Sequence, residues 1–410
     1  MNLADDLTAR GLVEHVSADL PQILGKKRTV YLGVDPTADS MHAGNLLVVL
    51  LMKRLADAGH DIILLVGGGT GMIGDPKEKG ERPLIDARAV ASNKKILKAQ
   101  MQHILGRRIR VVDNADWLLK VGLVDFLRDI GKHFTVNELI KRDIIRRRLE
   151  AADESISYTE FAYSLLQGYD FMVLNQKYGV DLQIGASDQW TNILSGVELV
   201  RRKLGKEAFA LTCPLVTDSN GKKFGKSEGN AIWLDPKKTS PYAFYQFWLN
   251  QPDDVVGTYL KFFTFMPVQE IDMLMEMHSR NPGKREAQRM LARCVTEIVH
   301  GADAAKRSEA VSQAIFGERP LASLTREERA VIVADAPSAR VSLGIPVVEA
   351  LILTELATSK SEARRLIEGN GISLNDVRVE SPDAVLEPAH FEGELALLRR
   401  GRQAAILVRS

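Results

Sequence analysis

Two clusters of polar side chains, far apart in the chain, have the types and spacing needed to hold an anion. The first lies in YLGVDPTADSMHAGNLL, residues 31–47. His42, Gly44 and Asn45 fall in the first turn of an apolar run that reads as a helix over 42–58. The first N–H groups of a helix lack intrahelical partners and carry the positive end of its dipole. An imidazole and an amide added there make an anion site, and Gly44 lets a flat or phosphorylated ligand lie against the backbone. The second cluster is SNGKKFGKSE, residues 219–228, with Lys222, Lys223, Lys226 and Ser227. Gly221 and Gly225 loosen this loop, and its ammonium groups repel one another. Closing over a polyphosphate would relieve that repulsion, although an ordinary basic surface loop has the same composition.

A third group is of another kind. Tyr163, Gln167 and Asp170 are spaced four and three apart in a helix-period segment, 158–175, so they share one face. A core helix would place Leu or Val there. A phenol, an amide and a carboxylate need partners, which either one another or a polar ligand can supply. Ser187-Asp188-Gln189-Trp190 follows a strand-like run, and an Asp at such a strand end suits a ribose or an amine better than a phosphate. Gly67-Gly68-Gly69-Thr70-Gly71, with Asp75 shortly after, follows another such run. No Gly-Lys-Ser/Thr comes after it, so it is no Walker loop; a ligand loop and a tight turn both stand. The basic run 141–148, KRDIIRRR, includes Arg146 and Arg147 and reads either as a solvated helix face or as a nucleic-acid contact.

These groups need a scaffold. Runs at 29–34, 61–66, 110–113, 180–185 and 211–216 read as strands, and 42–58 and 86–105 as helices. Pro36 ends the first strand by fixing φ. Strand, helix and strand within residues 29–66 predict a parallel α/β sheet. Residues 1–28 read as one polar helix and a connector. Residues 116–180 alternate helices with polar turns and read as an insertion between the halves of the sheet. Residues 240–328 read as helical, and 346–410 as a small unit of two helices followed by strands.

Composition excludes more than it selects. With 54 Lys+Arg against 53 Asp+Glu the net charge is +1, so any basic surface must be local. Two cysteines, Cys213 and Cys294, are too few for a disulfide framework or a cysteine metal site and fit a reducing compartment. The acidic N-terminus has no apolar signal segment, and the longest apolar run stops at Lys53. The expectation is a cytoplasmic protein that meets no membrane.

His-x-Gly-Asn at the first helix and Lys-Phe-Gly-Lys-Ser far downstream resemble the two signatures of class I aminoacyl-tRNA synthetases. GGGTGMIGDP, YTEFAYSLLQGYDF, LQIGASDQW and KFGKSEGNAIWLDPKKTSPYAFYQFW then resemble, in that order and across nearly the whole chain, the bacterial tyrosyl-tRNA synthetases. The resemblance implies an α/β fold. A Rossmann-like parallel-sheet catalytic domain would span 1–218, with its helical insertion at 116–180. The signature loop and an α-helical domain would span 219–330, a linker 331–345, and a small α+β RNA-binding domain of ribosomal-protein type 346–410. It implies an enzyme that activates L-tyrosine with ATP and Mg2+, transfers it to its tRNA, keeps no tightly bound cofactor or resident metal, and forms a homodimer through the insertion.

The same resemblance assigns the residues. Tyr31 and Asp170 take the phenolic hydroxyl; Tyr163, Gln167 and Asp75 the α-amino group; Gln189 lies near the carboxylate. Gly33, Asp35, Gly185 and Asp188 line the nucleotide. His42, Gly44, Asn45, Thr37, Lys223, Lys226 and Ser227 face the phosphates, with Lys79 and Arg82 beside them. Lys360, Arg364 and Arg365 would meet tRNA along one helix, helped by Arg399, Arg400 and Arg402, and Arg146 and Arg147 would meet it elsewhere. Two departures stand out: Asn45 where the family often has His, and Leu32 where a small polar residue is common. Two rivals share parts of the pattern. A nucleotidyltransferase of this fold has no reason to combine Tyr31, Tyr163, Gln167 and Asp170, and a non-catalytic RNA-binding relative has none to keep Lys223 and Lys226.

Overall fold

The computed structural model describes residues 2–410 except 77–79, 81–84, 107, 108, 152, 217–225, 228, 229, 317 and 402, and of residues 143, 144, 226, 227 and 230 it describes the backbone only. Two compact units emerge. One comprises Met1–Asp235 and Gly257–Met275, the other Pro236–Val256 and Glu276–Ser410.

The first unit is built on a sheet of β1 (His15–Val16), β2 (Thr29–Val34), β3 (Asp61–Val66), β4 (Arg110–Asp113), β5 (Leu182–Ala186) and β6 (Phe209–Cys213). Their spatial order is β1-β6-β5-β2-β3-β4. β2 to β6 are parallel, and β1 runs antiparallel on the edge. The strands are near-continuous apolar runs such as Asp61–Val66, buried from Ile62 on, as a parallel sheet covered on both faces requires. The chain steps outward from β2 to β3 and β4, then returns to β5 on the other side of β2. That reversal opens a crevice beyond the carboxyl ends of β2 and β5, where doubly wound sheets bind ligands.

The helix Ala43–Asp57, buried along most of its length, packs on β3, β5 and β6. Tyr31, Ile63 and Gln183 are in register across three strands and so point to one face. The helix Tyr158–Tyr178 lies on that face, with the Tyr31 and Phe171 rings edge to face at 5.1 Å. Its ends are defined locally: Ser157 Oγ accepts from Glu160 N, and Gly179 closes it at φ 67. The helix Ala87–Leu105 secures the turn after β2. Asn93 donates to Pro36 O at 2.9 Å, and Gln100 accepts from Met41 N at 2.9 Å.

The N-terminal 28 residues hold more than a helix and a connector. Besides Leu3–Arg10 they form β1 and the short helix Leu20–Leu24. A two-residue strand carries no periodicity, so this edge has no signal in the sequence. The fifth parallel strand spans Phe209–Cys213 rather than 211–216, because Pro214 breaks the run.

In the second unit, helical segments within 241–256 and 276–335 precede a sheet ordered β11-β10-β12-β13-β9, where β9 is Ser338–Val341, β10 Ile372–Leu374, β11 Val377–Arg378, β12 Leu395–Arg400 and β13 Gln403–Arg409. The expected linker at 331–345 is corrected here. It holds the end of the helix Arg326–Asp335 and β9, which pairs in parallel with β13. Its Ala- and Pro-rich composition suggested a spacer, but only Val341 of the strand is buried, so β9 shows no apolar alternation. The sheet also joins two cores. Leu395, Leu397, Ile406 and Val408 pack with Val311, Ile315 and Ile332. Ala396, Leu398, Ala405 and Leu407, on the other face, pack with Leu351, Ala363 and Ile367.

Candidate active site

Four strand ends converge on one acidic crevice. Asp35 follows β2, Gly67–Thr70 follow β3, Asn114 follows β4, and Asp188 and Gln189 follow β5. Asp170 lies deep in the crevice, 2% exposed. The Trp117 indole N–H donates to its Oδ1 at 2.7 Å, and the Asn114 amide donates to its Oδ2 at 2.8 Å. Burial pushes this carboxyl up to about 8, against the pull of those two donors. The Tyr31 hydroxyl is fully buried and has no hydrogen-bond partner among the described residues. Burial, and then the charge of Asp170, raises its pKa well above the ordinary phenol value. Gln183, in register with Tyr31, likewise has a buried Oε1 without a partner. Buried polar atoms are normally paired, so these two groups are open to a polar ligand.

Asn114 is a junction. Its amide nitrogen also donates to Thr70 Oγ1 at 2.8 Å, and its Oδ1 accepts from Gly69 N at 2.7 Å. Thr70 Oγ1 passes the chain on to Asp35 Oδ1 at 2.7 Å, and the Tyr163 hydroxyl donates to Asp35 Oδ2 at 2.8 Å. Tyr163 and Asp35, assigned by the resemblance to the amino acid and to the nucleotide respectively, are thus bonded directly to each other. Burial, then Asp35, holds the Tyr163 phenol well above its usual pKa.

The glycine loop resolves into a tight, packed turn. Its N–H groups at Gly68 and Gly69 are taken by Asp113 Oδ1 at 3.1 Å and by Asn114. A Cβ on Gly67 would stand 1.9 Å from Asp35 Oδ1, and one on Gly68 would stand 2.2 Å from Asp113 Oδ1. These positions are glycine because acidic side chains occupy the space, which is the tight-turn alternative.

Beyond the loop, both oxygens of Asp75 are held. Gln189 Nε2 donates to Oδ2 at 2.9 Å and Asn192 Nδ2 donates to Oδ1 at 3.0 Å. Gln167 is half-buried on the helix face that carries Tyr163 and Asp170; Asp188 is exposed at the crevice mouth. Gly33 is exposed and its nearest neighbour to an added Cβ is 3.9 Å away, whereas a Cβ on Gly185 would meet Ile193 at 3.0 Å and Gln189 at 3.2 Å.

The helix Ala43–Asp57 opens with a reciprocal cap. His42 Nδ1 accepts from Gly44 N at 3.1 Å, and Asn45 Oδ1 accepts from His42 N at 3.1 Å. A neutral His42 ring therefore carries its proton on Nε2, and Asn45 keeps its NH2 group as donor. This gives Asn45 a local reason to stand where a His is common. Thr37 is exposed, its N–H on Asp35 O at 2.8 Å. Leu32, the other departure, is 4% exposed on the opposite face of β2 from Tyr31.

The two signatures meet through backbone. Ala43 N donates to Ile232 O at 2.8 Å and Leu234 N to Met41 O at 2.9 Å, so the chain leaving the lysine loop is stitched to the helix start. Lys226–Ser227 form β7, paired antiparallel with β8 (Asn230–Ala231). Lys223, Lys79, Arg82 and Arg402 lie outside the described residues.

The basic run splits. Arg146 and Arg147 are exposed. Arg148 is buried, bonded to Glu160 at 2.7 Å, and Arg142 turns inward to Asn192. In the second unit Lys360 pairs with Glu349 at 2.8 Å and Arg364 with Asp383 at 3.6 Å on exposed ground, while Arg365 is exposed. Arg399 donates to Ile315 O at 2.9 Å, while Arg400 donates to Leu356 O at 2.8 Å and pairs at 3.0 Å with Glu362 of the helix Lys360–Glu368. Asn114, Trp117, Thr70, Gln183 and Asn192 were missed in the sequence. Asn114 follows a strand and Gln183 interrupts an apolar one, so both carried a signal.

Comparison with known proteins places these features in a family. A model of tRNA synthetases class I (W and Y) matches residues 25–317, and a Tyrosine--tRNA ligase SYY-like C-terminal domain matches 328–408. The chain is 45% identical over 421 residues to the tyrosine--tRNA ligase of Roseiflexus castenholzii, covering 99% of each chain. It is 44% identical over 430 residues to that of Neisseria meningitidis, covering 100% of each. The crystal structure of a C-terminally truncated mitochondrial tyrosyl-tRNA synthetase of Aspergillus nidulans is similar with a TM-score of 0.68 and 31% identity, over 77% of this chain and 94% of that one.

Proposed function

The chain belongs to the class I tRNA synthetases of the tryptophan and tyrosine type, and on that premise we propose that it works as a tyrosine–tRNA ligase. One observation carries the choice of amino acid: a buried carboxylate, fixed by Asn114 and Trp117, beneath a buried phenol without a partner. A site built to bond a substrate hydroxyl leaves buried groups unpaired when that hydroxyl is missing. Tyrosyl-tRNA synthetases acting on tyrosine rather than phenylalanine are the standard illustration of that rule.

In this reading Asp170 and Tyr31 receive the substrate phenol, with Asn114, Trp117 and Gln183 shaping that end. Asp75 takes the ammonium group, with Tyr163 and Gln167 beside it and Gln189 towards the carboxylate. Gly33, Gly185, Asp35 and Asp188 line the adenosine. A carboxylate oxygen of tyrosine attacks the α-phosphorus of ATP, the bond to the β-phosphate oxygen breaks, and pyrophosphate leaves. A hydroxyl of the terminal tRNA ribose then attacks the adenylate carbonyl, and AMP leaves. Neither step needs a protein nucleophile. His42 Nε2–H, the Asn45 NH2 group, the helix start, Thr37, Lys223, Lys226 and Ser227 stabilise charge on the phosphoryl oxygens. Mg2+ accompanies the ATP phosphates, which bring their own oxygen ligands; among the described residues no group of three or more His, Cys, Asp or Glu could hold a metal.

We place tRNA contacts at Arg146, Arg147, Lys360, Arg364 and Arg365, and the work of the enzyme in the cytoplasm, where its substrates are. No helix among the described residues is long and apolar enough to cross a membrane. A homodimer is supported by Leu119, Leu123, Val124 and Val136, exposed at 61–74% on the inserted segment. Large apolar side chains left exposed on one segment suit an association surface. Light scattering tests it: twice the mass of one chain is expected, and a Leu123→Asp, Val124→Asp variant should shift towards one. Aminoacylation of bulk tRNA tests the main reading. Labelled tyrosine should be incorporated and labelled phenylalanine should not; the reverse would overturn the assignment.

A further inference from the structure

Arg142 belongs to the basic run 141–148, yet its guanidinium is turned away from Arg146 and Arg147. It donates to Asn192 Oδ1 at 3.1 Å and to the Ser195 hydroxyl. Ser195 Oγ in turn donates to Thr191 O at 3.1 Å, so the contact is locked into the helix Trp190–Leu204. Burial pulls the Arg142 pKa down to about 10, opposed by the charges of Asp75 and then Glu138.

Arginine has donors only, so the atom of Asn192 that faces it must be the carbonyl oxygen. That fixes the flip of the Asn192 amide, and its nitrogen is left to donate to Asp75 Oδ1 at 3.0 Å. It also approaches Gln189 Oε1 at 3.4 Å, within the same cluster. Without the guanidinium, the amide oxygen loses its donor, and among the described residues only the contacts of the nitrogen with Asp75 and Gln189 hold the amide in place. The geometry points to Arg142 as a positioning residue for the substrate ammonium group, acting through Asn192 on the Asp75 carboxylate. This rests on the reading of Asp75 given above. It removes Arg142 from the nucleic-acid contacts that its neighbours in sequence suggest.

The test compares wild type with Arg142→Met, Arg142→Lys and Asn192→Leu in tyrosine-dependent exchange of pyrophosphate into ATP. The exchange by wild type tests the underlying reading; the variants test Arg142. For R142M, KM for tyrosine should rise about tenfold, the worth of one charged hydrogen bond, with kcat and KM for ATP little changed. The inhibition constant of 3-(4-hydroxyphenyl)propanoate, which lacks the amino group, should not move. R142K reaches only one of the two acceptors and should fall between. N192L should reproduce R142M, and the double variant should add little. If R142M does not fold, N192L and R142K are read in the same way. Unchanged tyrosine KM in folded variants would overturn the inference. Equal weakening of tyrosine and the deaminated analogue would also overturn it, since that is general loosening. A defect confined to tRNA charging would return Arg142 to the nucleic-acid surface.

Discussion

At the scale of single residues, Asp170 trades stability for recognition. Its pKa in the folded chain is raised by burial to about 8, above the roughly 3.9 of an unfolded chain. Its stabilising contribution is therefore whole below about pH 4 and lost as pH rises through about 8. Asp170→Asn should flatten that loss: between pH 6 and pH 9 the melting temperature of wild type should fall further than that of the variant. The same variant should lower kcat/KM for tyrosine by about tenfold, since the hydrogen bond between the Asp170 carboxyl and the substrate phenol is altered. Equal melting curves across that range would remove the buried charge from the account. Asn45 offers a second case. Asn45→Asp keeps an oxygen for His42 N but replaces the NH2 donor with negative charge. Pyrophosphate exchange should drop more than about tenfold while the melting temperature holds. A variant that melts early would mean that the cap, not the donor, is what matters. Tyr163, Gln167 and Asp170 stood out in the sequence because helix period puts them on one face, whereas Tyr31, on a strand, was reached through the family pattern alone. Trp117 and Thr70 were not, because each acts through a partner in a different segment.

At the scale of elements, the crevice exists because β2, β3, β4 and β5 end together, and the strand pattern announced all four. The glycine turn after β3 was ambiguous, since glycines that cradle a phosphate and glycines that make room for neighbours look alike in sequence. Only the carboxylates of Asp35 and Asp113 against Gly67 and Gly68 decide it. Gly67→Ala forces Asp35 and Thr70 apart and should cost about 1–3 kcal/mol of stability together with most of the activity. Gly33→Ala meets only ordinary contacts and should fold as wild type, raising KM for ATP if adenosine lies against that backbone. Chemical denaturation and exchange kinetics on the pair separate the two roles; the opposite ranking of stabilities would contradict the packing described. β1 and β9 escaped detection for a common reason: each is a short edge strand with too few buried side chains to show alternation.

At the scale of the whole molecule, the sequence pattern suggested three domains with boundaries near 218 and 330–346, whereas the chain forms two units, the second taking in both the helices and the terminal sheet, and 331–345 holds a helix end and a strand rather than a linker. A core shared by Ile315, Ile332, Leu397 and Ile406 binds the helical part to the terminal sheet. Deleting 346–410 would strip that core, so surface substitutions are the better probe of tRNA contact. Arg364→Glu with Arg365→Glu should leave tyrosine activation intact and weaken charging of tRNA, with a shallower salt dependence than wild type. Unchanged charging and salt slope would take this helix out of the RNA surface. The central claim is the two-step ligation of tyrosine, and exchange of labelled pyrophosphate into ATP by the purified chain tests it most directly. Exchange that requires L-tyrosine and is not supported by phenylalanine or tryptophan is the expected result. Exchange driven by another amino acid, or none with any amino acid, would contradict it.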